Sequence, residues 1–152
     1  MAKKFDVASV LERERQVTID NWYKRVESEL NLSAVPMSRE DRCAHLPDMI
    51  HDLLSRLRNP LPLGTRALTS SAAHNHGRLR RDQGYTAAMM VEESRMLQVS
   101  IFETLQRHVE DTEPGVLLLY VMVIADEVDS QLAQAMSSYI SEANVDAKAI
   151  SA

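Results

Sequence analysis

Cysteine is almost absent from this chain of 152 residues, since Cys43 is the only one. No disulfide can form within the chain, so a reducing compartment is the simpler expectation. The chain also has only four glycines and five prolines, and aromatic residues make up 5% of it. Such counts argue against an all-β fold with many turns. The length still suffices to bury one core, which predicts a single domain over residues 1–152.

Long apolar runs are missing as well. The longest, 116–125, covers ten residues, about half of what a membrane-spanning helix needs. The first ten residues contain two lysines but no apolar stretch typical of a signal peptide. These features predict a soluble, cytoplasmic protein that does not contact a membrane.

The net charge of −5 is unevenly distributed. Residues 110–152 contain eight acids and one base, whereas residues 1–109 contain 14 acids and 16 bases. A nucleic-acid-binding domain normally carries a strong basic stripe. The only local candidate is the short group Arg78, Arg80 and Arg81. No nucleic-acid partner is therefore expected.

Helix-forming residues, by contrast, are abundant. Apolar residues recur at three- and four-residue steps, which is typical of amphipathic helices. Five helical segments are predicted, at about 5–30, 38–57, 69–83, 86–109 and 116–143. The expected fold is all-α, a bundle of five or six helices.

Local signals refine the boundaries of these segments. Ser38, followed three residues later by Asp41, has the form of a capping box that opens the second segment. Pro47 either kinks that segment or marks a second start. Gly84 stands at the predicted C-terminus of the third segment.

The last segment changes character along its length. Residues 116–124 are apolar on all sides, as expected of a helix buried inside a bundle. A stripe with steps of four and three residues follows, formed by Val121, Ala125, Val128, Leu132, Ala135 and Tyr139. Either this stripe packs along the chain's own bundle or it pairs with its twin in a homodimer. In the second case residues 126–150 are a candidate signalling or dimerisation helix.

The segment 72–85 is polar where the pattern predicts a structural helix. His76 and Arg80 are four residues apart and share a helical face, as do Arg80 and Gln83 at three. If the third and fourth helices fold back antiparallel, Glu93 reaches this face. The expectation is a buried Arg–Glu pair whose remaining hydrogen bonds come from His76 and Gln83, and which fixes the helix register.

The order His-Gly-x-x-Arg-x-x-Gln-Gly-Tyr, followed by an acidic residue, Arg, Leu and Ile, resembles the RsbRD N-terminal domain family of the RsbT co-antagonist type. The matching positions are His76, Gly77, Arg80, Gln83, Gly84, Tyr85, Glu93, Arg95, Leu97 and Ile101. Trp22, Asp126 and Gln131 also fit the pattern. Gln98 stands where relatives tend to have arginine, which counts against a second buried pair.

The resemblance implies an input domain, related to non-haem globins, of bacterial sensor histidine kinases and stressosome-like regulators. The chain is then expected to be a non-enzymatic sensor that needs no cofactor, forms a homodimer and regulates a C-terminal or partner effector. The expected structural or switch cluster consists of His76, Arg80, Gln83, Gly84, Tyr85, Glu93 and Arg95.

Other functions remain as alternatives. A haem-binding globin-type sensor needs one axial histidine, for which His76 or His108 is the better candidate. A protein-interaction scaffold needs no ligand at all. No other metal site is expected, because His74 and His76 point apart on a helix and no His-x-x-x-His pair occurs. A histidine phosphotransfer domain would need one of these two histidines to be exposed.

Catalysis is not expected from the sequence. It contains no Gly-rich phosphate loop, nucleophile elbow or kinase signature. Glu92 and Glu93 are adjacent and point about 100° apart on a helix, so they do not form a general acid–base pair.

Overall fold

The computed structural model describes residues 5–65, 69–110 and 112–151. In these ranges the chain forms eight helical segments and no strand, so the predicted all-α bundle is confirmed. The segments are α1 Val7–Arg13, α2 Arg15–Ser28, α3 Leu30–Ser33, α4 Arg39–Cys43, α5 Leu46–Arg58, α6 Ser71–Asp82, α7 Ala87–Gln106 and α8 Pro114–Ser151. None of the helices in the described ranges is long and apolar enough to cross a membrane.

The first predicted helix, 5–30, is divided into α1, α2 and α3. Glu14 interrupts it at φ −95° and ψ 14°, and Glu29 at φ −91° and ψ 113°. The second interruption rotates the chain, so that Leu32 is fully buried and Leu30 is 81% exposed. The apolar spacing predicted the helical content but not these two breaks.

The second predicted segment is also divided, into α4 and α5. The Ser38 hydroxyl accepts a hydrogen bond from the Asp41 N–H at 3.1 Å and thereby caps α4 as predicted. Pro47 lies in the first turn of α5 and marks a second start. A proline is tolerated there because its missing N–H would have no partner within the helix.

The helices α6 and α7 meet at the predicted corner. The Ser70 hydroxyl caps α6, and the Thr86 hydroxyl caps α7 by accepting from the Met89 N–H at 3.2 Å. Gly84 ends α6 with φ +89°, a conformation that glycine adopts without strain.

The last helix, α8, is longer than predicted. It begins at Pro114 and has 38 residues, which corresponds to about 57 Å. Its first turns are not buried, contrary to the prediction for 116–124. Only Val123 and Ile124 are buried there, while 39–59% of each of four other side chains is exposed, namely Val116, Leu118, Leu119 and Met122. An apolar surface on all sides therefore does not identify a buried helix here.

The apolar stripe farther along α8 packs against the chain's own bundle. Val128, Ala135 and Tyr139 are buried, and the other stripe positions are partly buried. Of the two alternatives for this stripe, packing within the chain is the one realised. The main contact of α8 is with α6, where Gly77 faces the backbone of Ala135 so closely that a Cβ would overlap its carbonyl.

Candidate functional site

Glu93 of α7 lies at the centre of a buried charged cluster. Its side chain is only 4% exposed. The Nε of Arg80 donates to both carboxylate oxygens, at 3.0 and 3.2 Å, and Nη2 lies 3.0 Å from Oε1. This is the charge-assisted Arg–carboxylate contact predicted between the third and fourth sequence segments.

His76 approaches the same carboxylate from one turn earlier on α6. Its Nε2 lies 3.1 Å from Glu93 Oε1. A carboxylate can only accept at this contact, so Nε2 carries a proton. The other ring nitrogen, Nδ1, is buried and has no hydrogen-bond partner among the described residues.

The remaining donors of Arg80 are also used. Nη1 donates to Gln83 Oε1 at 2.6 Å, and Nη2 donates to the Arg42 carbonyl at 2.6 Å. The guanidinium lies over the Tyr85 ring, 4.9 Å from its centroid. We call the five side chains of His76, Arg80, Gln83, Tyr85 and Glu93 the clasp.

Arg42 of α4 completes the surroundings of the clasp, and the sequence did not single it out. It is almost fully buried and donates to the Tyr85 hydroxyl at 2.7 Å. It also donates to the carbonyls of Leu32 and Val35. Four of the five residues in Arg39–Cys43 are charged, a pattern typical of a solvent-exposed helix. Nothing in this pattern predicts a buried arginine.

Two further hydrogen bonds connect the backbone of clasp residues to α2 and α8. The indole N–H of Trp22 donates to the Glu93 carbonyl at 3.1 Å. The Tyr139 hydroxyl donates to the Tyr85 carbonyl at 2.7 Å, and Arg81 Nη1 donates to the Tyr139 hydroxyl at 3.2 Å. The clasp is thus bonded to the first long helix and to the last one.

Two residues of the expected cluster are not part of the clasp. Arg95 has a side chain that is 64% exposed and donates to Glu92 at 2.8 Å. It follows Glu93 by two positions, which turns it about 200° away on the helix. Gly84 shapes the corner between α6 and α7 but brings no functional group.

The electrostatics of the clasp favour an ionised carboxylate. Burial alone would raise the pKa of Glu93, but the hydrogen bond and attraction of His76, together with Arg80, outweigh burial and lower this pKa. The pKa of Tyr85 is raised above its usual range, mainly by burial and to a smaller extent by the charge of Glu93. The pKa of His45 is lowered below its ordinary value of 6.5, mainly by burial and to a smaller extent by the charges of His76 and Arg80.

A second buried charged group lies between α5 and α8. Arg56 donates to Asp126 at 2.7 Å and lies 3.9 Å from Glu127. Gln131 donates to Glu127 at 3.2 Å and to the Met49 carbonyl at 2.9 Å. Burial raises the pKa of Glu127 despite the Gln131 hydrogen bond, which lowers it. Gln98 argued against a second buried pair, but this one uses other residues.

The cavity beside the clasp is small. It has a volume of about 20 Å³ and is lined by His76, Glu93, Ser94, Gln131 and apolar side chains. Such a volume holds about one water molecule and has no room for a porphyrin. The other haem candidate, His108, is partly exposed and lies 3.7 Å from Glu14.

The histidines do not form a shared metal site in the described ranges, where no group of three or more potential ligand side chains occurs. His74 is exposed, whereas His76 is buried on the opposite side of α6. His76 is therefore not accessible to a phosphodonor in this conformation.

A separate groove, of about 500 Å³, lies between α2 and α7. Its charged lining includes Lys24, Arg25, Arg95 and Glu103, with Arg25 hydrogen-bonded to Glu103. It contains no histidine and does not reach the clasp.

None of the family models, curated proteins or solved structures compared with the chain matches it.

Proposed function

We propose that the chain is a non-enzymatic signal-input domain of the RsbRD N-terminal type, which regulates a histidine kinase or a stressosome-type effector. The observation that carries the proposal is the hydrogen bond from the Tyr139 hydroxyl to the Tyr85 carbonyl. It joins the buried clasp between α6 and α7 directly to α8, which is the helix best suited to pass on a change.

In this proposal the clasp acts as a two-state element. Tyr85 is held from three sides, by Arg80 over its ring, by Arg42 at its hydroxyl and by Tyr139 at its carbonyl. A change in the protonation or contacts of Glu93 alters the position of Arg80, and hence of Tyr85. A signal that favours one arrangement shifts the population of the other.

The output element in this proposal is α8. Its apolar stripe packs on α6, and its last residues, 144–151, are exposed. Tyr139 ends the stripe, and its hydroxyl, which donates to the Tyr85 carbonyl, also accepts a hydrogen bond from Arg81. Residues 126–150 therefore serve as the signalling helix, and a homodimer would place two such helices at one effector.

The proposal is tested by fusing the full chain to the dimerisation and catalytic core of a histidine kinase. Seven linkers, from one to seven residues long, cover every heptad register. Glu93→Gln should change autophosphorylation by about fivefold or more in at least one register, which is the lower end of usual allosteric coupling. Tyr139→Phe should reduce this effect, because it removes the hydroxyl that connects α8 to the clasp.

The matched control is Glu92→Gln, because Glu92 is the adjacent residue on α7 and its side chain is 42% exposed. It should leave autophosphorylation unchanged in every fusion. If folded Glu93→Gln and Glu92→Gln fusions give equal rates in all seven registers, the clasp does not control α8 and the proposal is wrong.

A protein-interaction scaffold that needs no ligand is the second candidate function. The exposed apolar side chains in the first turns of α8 favour it.

A further inference from the structure

An apolar surface lies at the beginning of α8 and on the adjoining connector. Its five side chains are each 43–59% exposed: Leu61, Leu63, Leu118, Leu119 and Met122. We call this set the α8 apolar face. Exposed apolar side chains grouped on one side of a helix mark an interaction site more often than isolated surface leucines do.

The geometry of α8 places these residues together. Leu118, Leu119 and Met122 are at positions i, i+1 and i+4 of one helix, so they lie within an arc of about 100° around its axis. Ile124 points to the other side and is fully buried in the bundle. The exposed side is therefore the face that the chain's own core leaves uncovered.

The connector after α5 extends this face. The Gly64 N–H donates to both oxygens of Asp126 at 3.2 Å. Asp126 follows Met122 by one turn of α8, so Leu63, which precedes Gly64, lies near the same side of the helix. Leu61 and Leu63 thus add to the surface begun by Leu118 and Met122.

The charges on α8 beside this face have one sign. From Pro114 to Ala147, α8 contains five acids and no base. Asp129 is exposed and lies two turns beyond Met122 on the same side, and Glu113 is exposed just before the helix. Asp126 is already satisfied by Arg56 and Gly64, so Asp129 and Glu113 are the acids left to attract a partner.

We infer that the α8 apolar face binds an amphipathic helix of another protein, with an apolar stripe flanked by lysine or arginine. The stripe would pack on Leu118 and Met122 as in other helix-in-groove complexes. Basic flanks would pair with Asp129 and Glu113 and raise the association rate. The inference does not depend on the clasp or on the proposed sensor function.

Two other occupants fit the charges less well. Pairing this face with a second copy across a twofold axis brings the same acidic rim of both chains together, and like charges repel. A bilayer with anionic headgroups also repels Asp129 and Glu113, because such surfaces attract basic segments instead. A basic partner helix is the occupant that satisfies both the apolar and the charged part.

Binding of three labelled 18-residue peptides to the full chain, followed by fluorescence anisotropy, tests this inference. The first has a leucine stripe with lysine on the other face, the second has the same stripe with glutamate, and the third scrambles the first. The lysine peptide should bind about tenfold or more tightly than the other two, and added salt should weaken its binding.

Variants of the chain locate the binding site. Leu118→Ser/Met122→Ser should weaken binding of the lysine peptide about tenfold or more, as expected when central apolar contacts are removed. The matched control is Val91→Ser/Val99→Ser, because these two valines are 47% and 43% exposed on α7. The control should bind like the unchanged chain.

Three outcomes overturn the inference. The first is a failure of either comparison: the lysine and glutamate peptides bind equally well, or both double variants weaken binding of the lysine peptide equally. The second is a dimer, detected by sedimentation, that Leu118→Ser/Met122→Ser dissociates while no peptide binds. The third is cosedimentation with anionic phosphatidylserine vesicles that the same double variant abolishes, again without peptide binding.

Discussion

At the scale of single residues, the clasp depends on one carboxylate. Glu93 is buried in a place where an isolated charge would be very unfavourable, and Arg80 and His76 provide its compensation. Removing the carboxylate leaves Arg80 buried with its charge uncompensated. The energetic consequence of such a loss is larger than the net contribution of the pair.

Glu93→Ala should therefore lower the free energy of unfolding by about 3–5 kcal/mol, measured by urea denaturation at pH 7. Glu92→Ala is the matched control, because Glu92 pairs only with the largely exposed Arg95. Its loss should be below about 0.5 kcal/mol. A similarly small loss for Glu93→Ala would mean that Arg80 finds other compensation or that the clasp is open in solution.

The pH dependence of stability has a sign that follows from two lowered pKa values. Glu93 has a folded pKa below its ordinary 4.5, so its contribution is complete above that pH and is lost as the pH falls below it. His45 has a folded pKa below 6.5, so it favours unfolding once the pH falls below 6.5. These two groups should thus each reduce stability on acidification, in two successive ranges, whereas Glu127, whose pKa burial raises, adds stability as the pH falls towards 4.5.

His45→Gln separates these two ranges. The variant should lose less stability than the unchanged chain between pH 7 and pH 5, because it has no imidazole to protonate at this position. Below pH 4.5 both proteins should lose stability in parallel, since Glu93 is present in both. Urea midpoints measured at half-unit pH steps provide the comparison. Parallel curves between pH 7 and pH 5 would contradict the role of His45.

The clasp was predictable because its residues are close in sequence. His76, Arg80 and Gln83 follow a helical period, and a glycine corner returns the chain so that Glu93 meets them. Arg42 was not predictable, because it reaches the site from a distant helix and no local spacing reports such a contact.

At the scale of helices, the contact between α6 and α8 requires a glycine. A Cβ added at Gly77 would overlap the Ala135 carbonyl oxygen and come within 2.8 Å of the Ala135 Cα. The obstacle is backbone, which cannot rotate away as a flexible side chain can. The two helices must therefore separate or shift to admit even one methyl group.

Gly77→Ala should lower the free energy of unfolding by about 1–3 kcal/mol. Gly115→Ala is the control, because the nearest atom to its added Cβ is Glu113 Oε1 at 3.8 Å. That change should be neutral or stabilise by up to about 1 kcal/mol, since alanine favours helix. Thermal unfolding of both variants decides the matter, and equal stabilisation by the two changes would show that α6 and α8 are not closely packed.

The spacing of apolar residues predicted which segments are helical. It did not predict where a helix is interrupted or which of its side chains are exposed. The apolar spacing of 5–30 continues through Glu14 and Glu29, and neither residue carries a turn signal. For 116–124, sequence alone cannot distinguish a helix covered by its own bundle from one whose outer side is left for a partner. Both need apolar residues, and only the positions of the other helices decide.

At the scale of the whole molecule, the clasp connects helices from distant parts of the chain. Trp22 of α2 and Tyr139 of α8 both donate to backbone carbonyls at the clasp, those of Glu93 and Tyr85. Because the apolar stripe of α8 is used within this arrangement, the predicted homodimer would have to use other residues.

These connections predict that the described helices unfold together. Trp22 is the only tryptophan and is fully buried, so its fluorescence reports the environment of the clasp. The far-ultraviolet circular dichroism reports all helices, of which α8 is the longest. If α8 is released only when the clasp opens, the two signals should give the same urea midpoint, as in a two-state transition.

Tyr139→Phe tests whether α8 depends on this connection. Without the hydroxyl, the Tyr85 carbonyl loses its donor, and an unsatisfied buried acceptor costs about 1–3 kcal/mol. Both midpoints should then fall together, because the loss is shared by one cooperative unit. A circular dichroism midpoint that falls below an unchanged fluorescence midpoint would instead mean that α8 detaches while the clasp stays closed. In that case a signal in the clasp would have no path to α8.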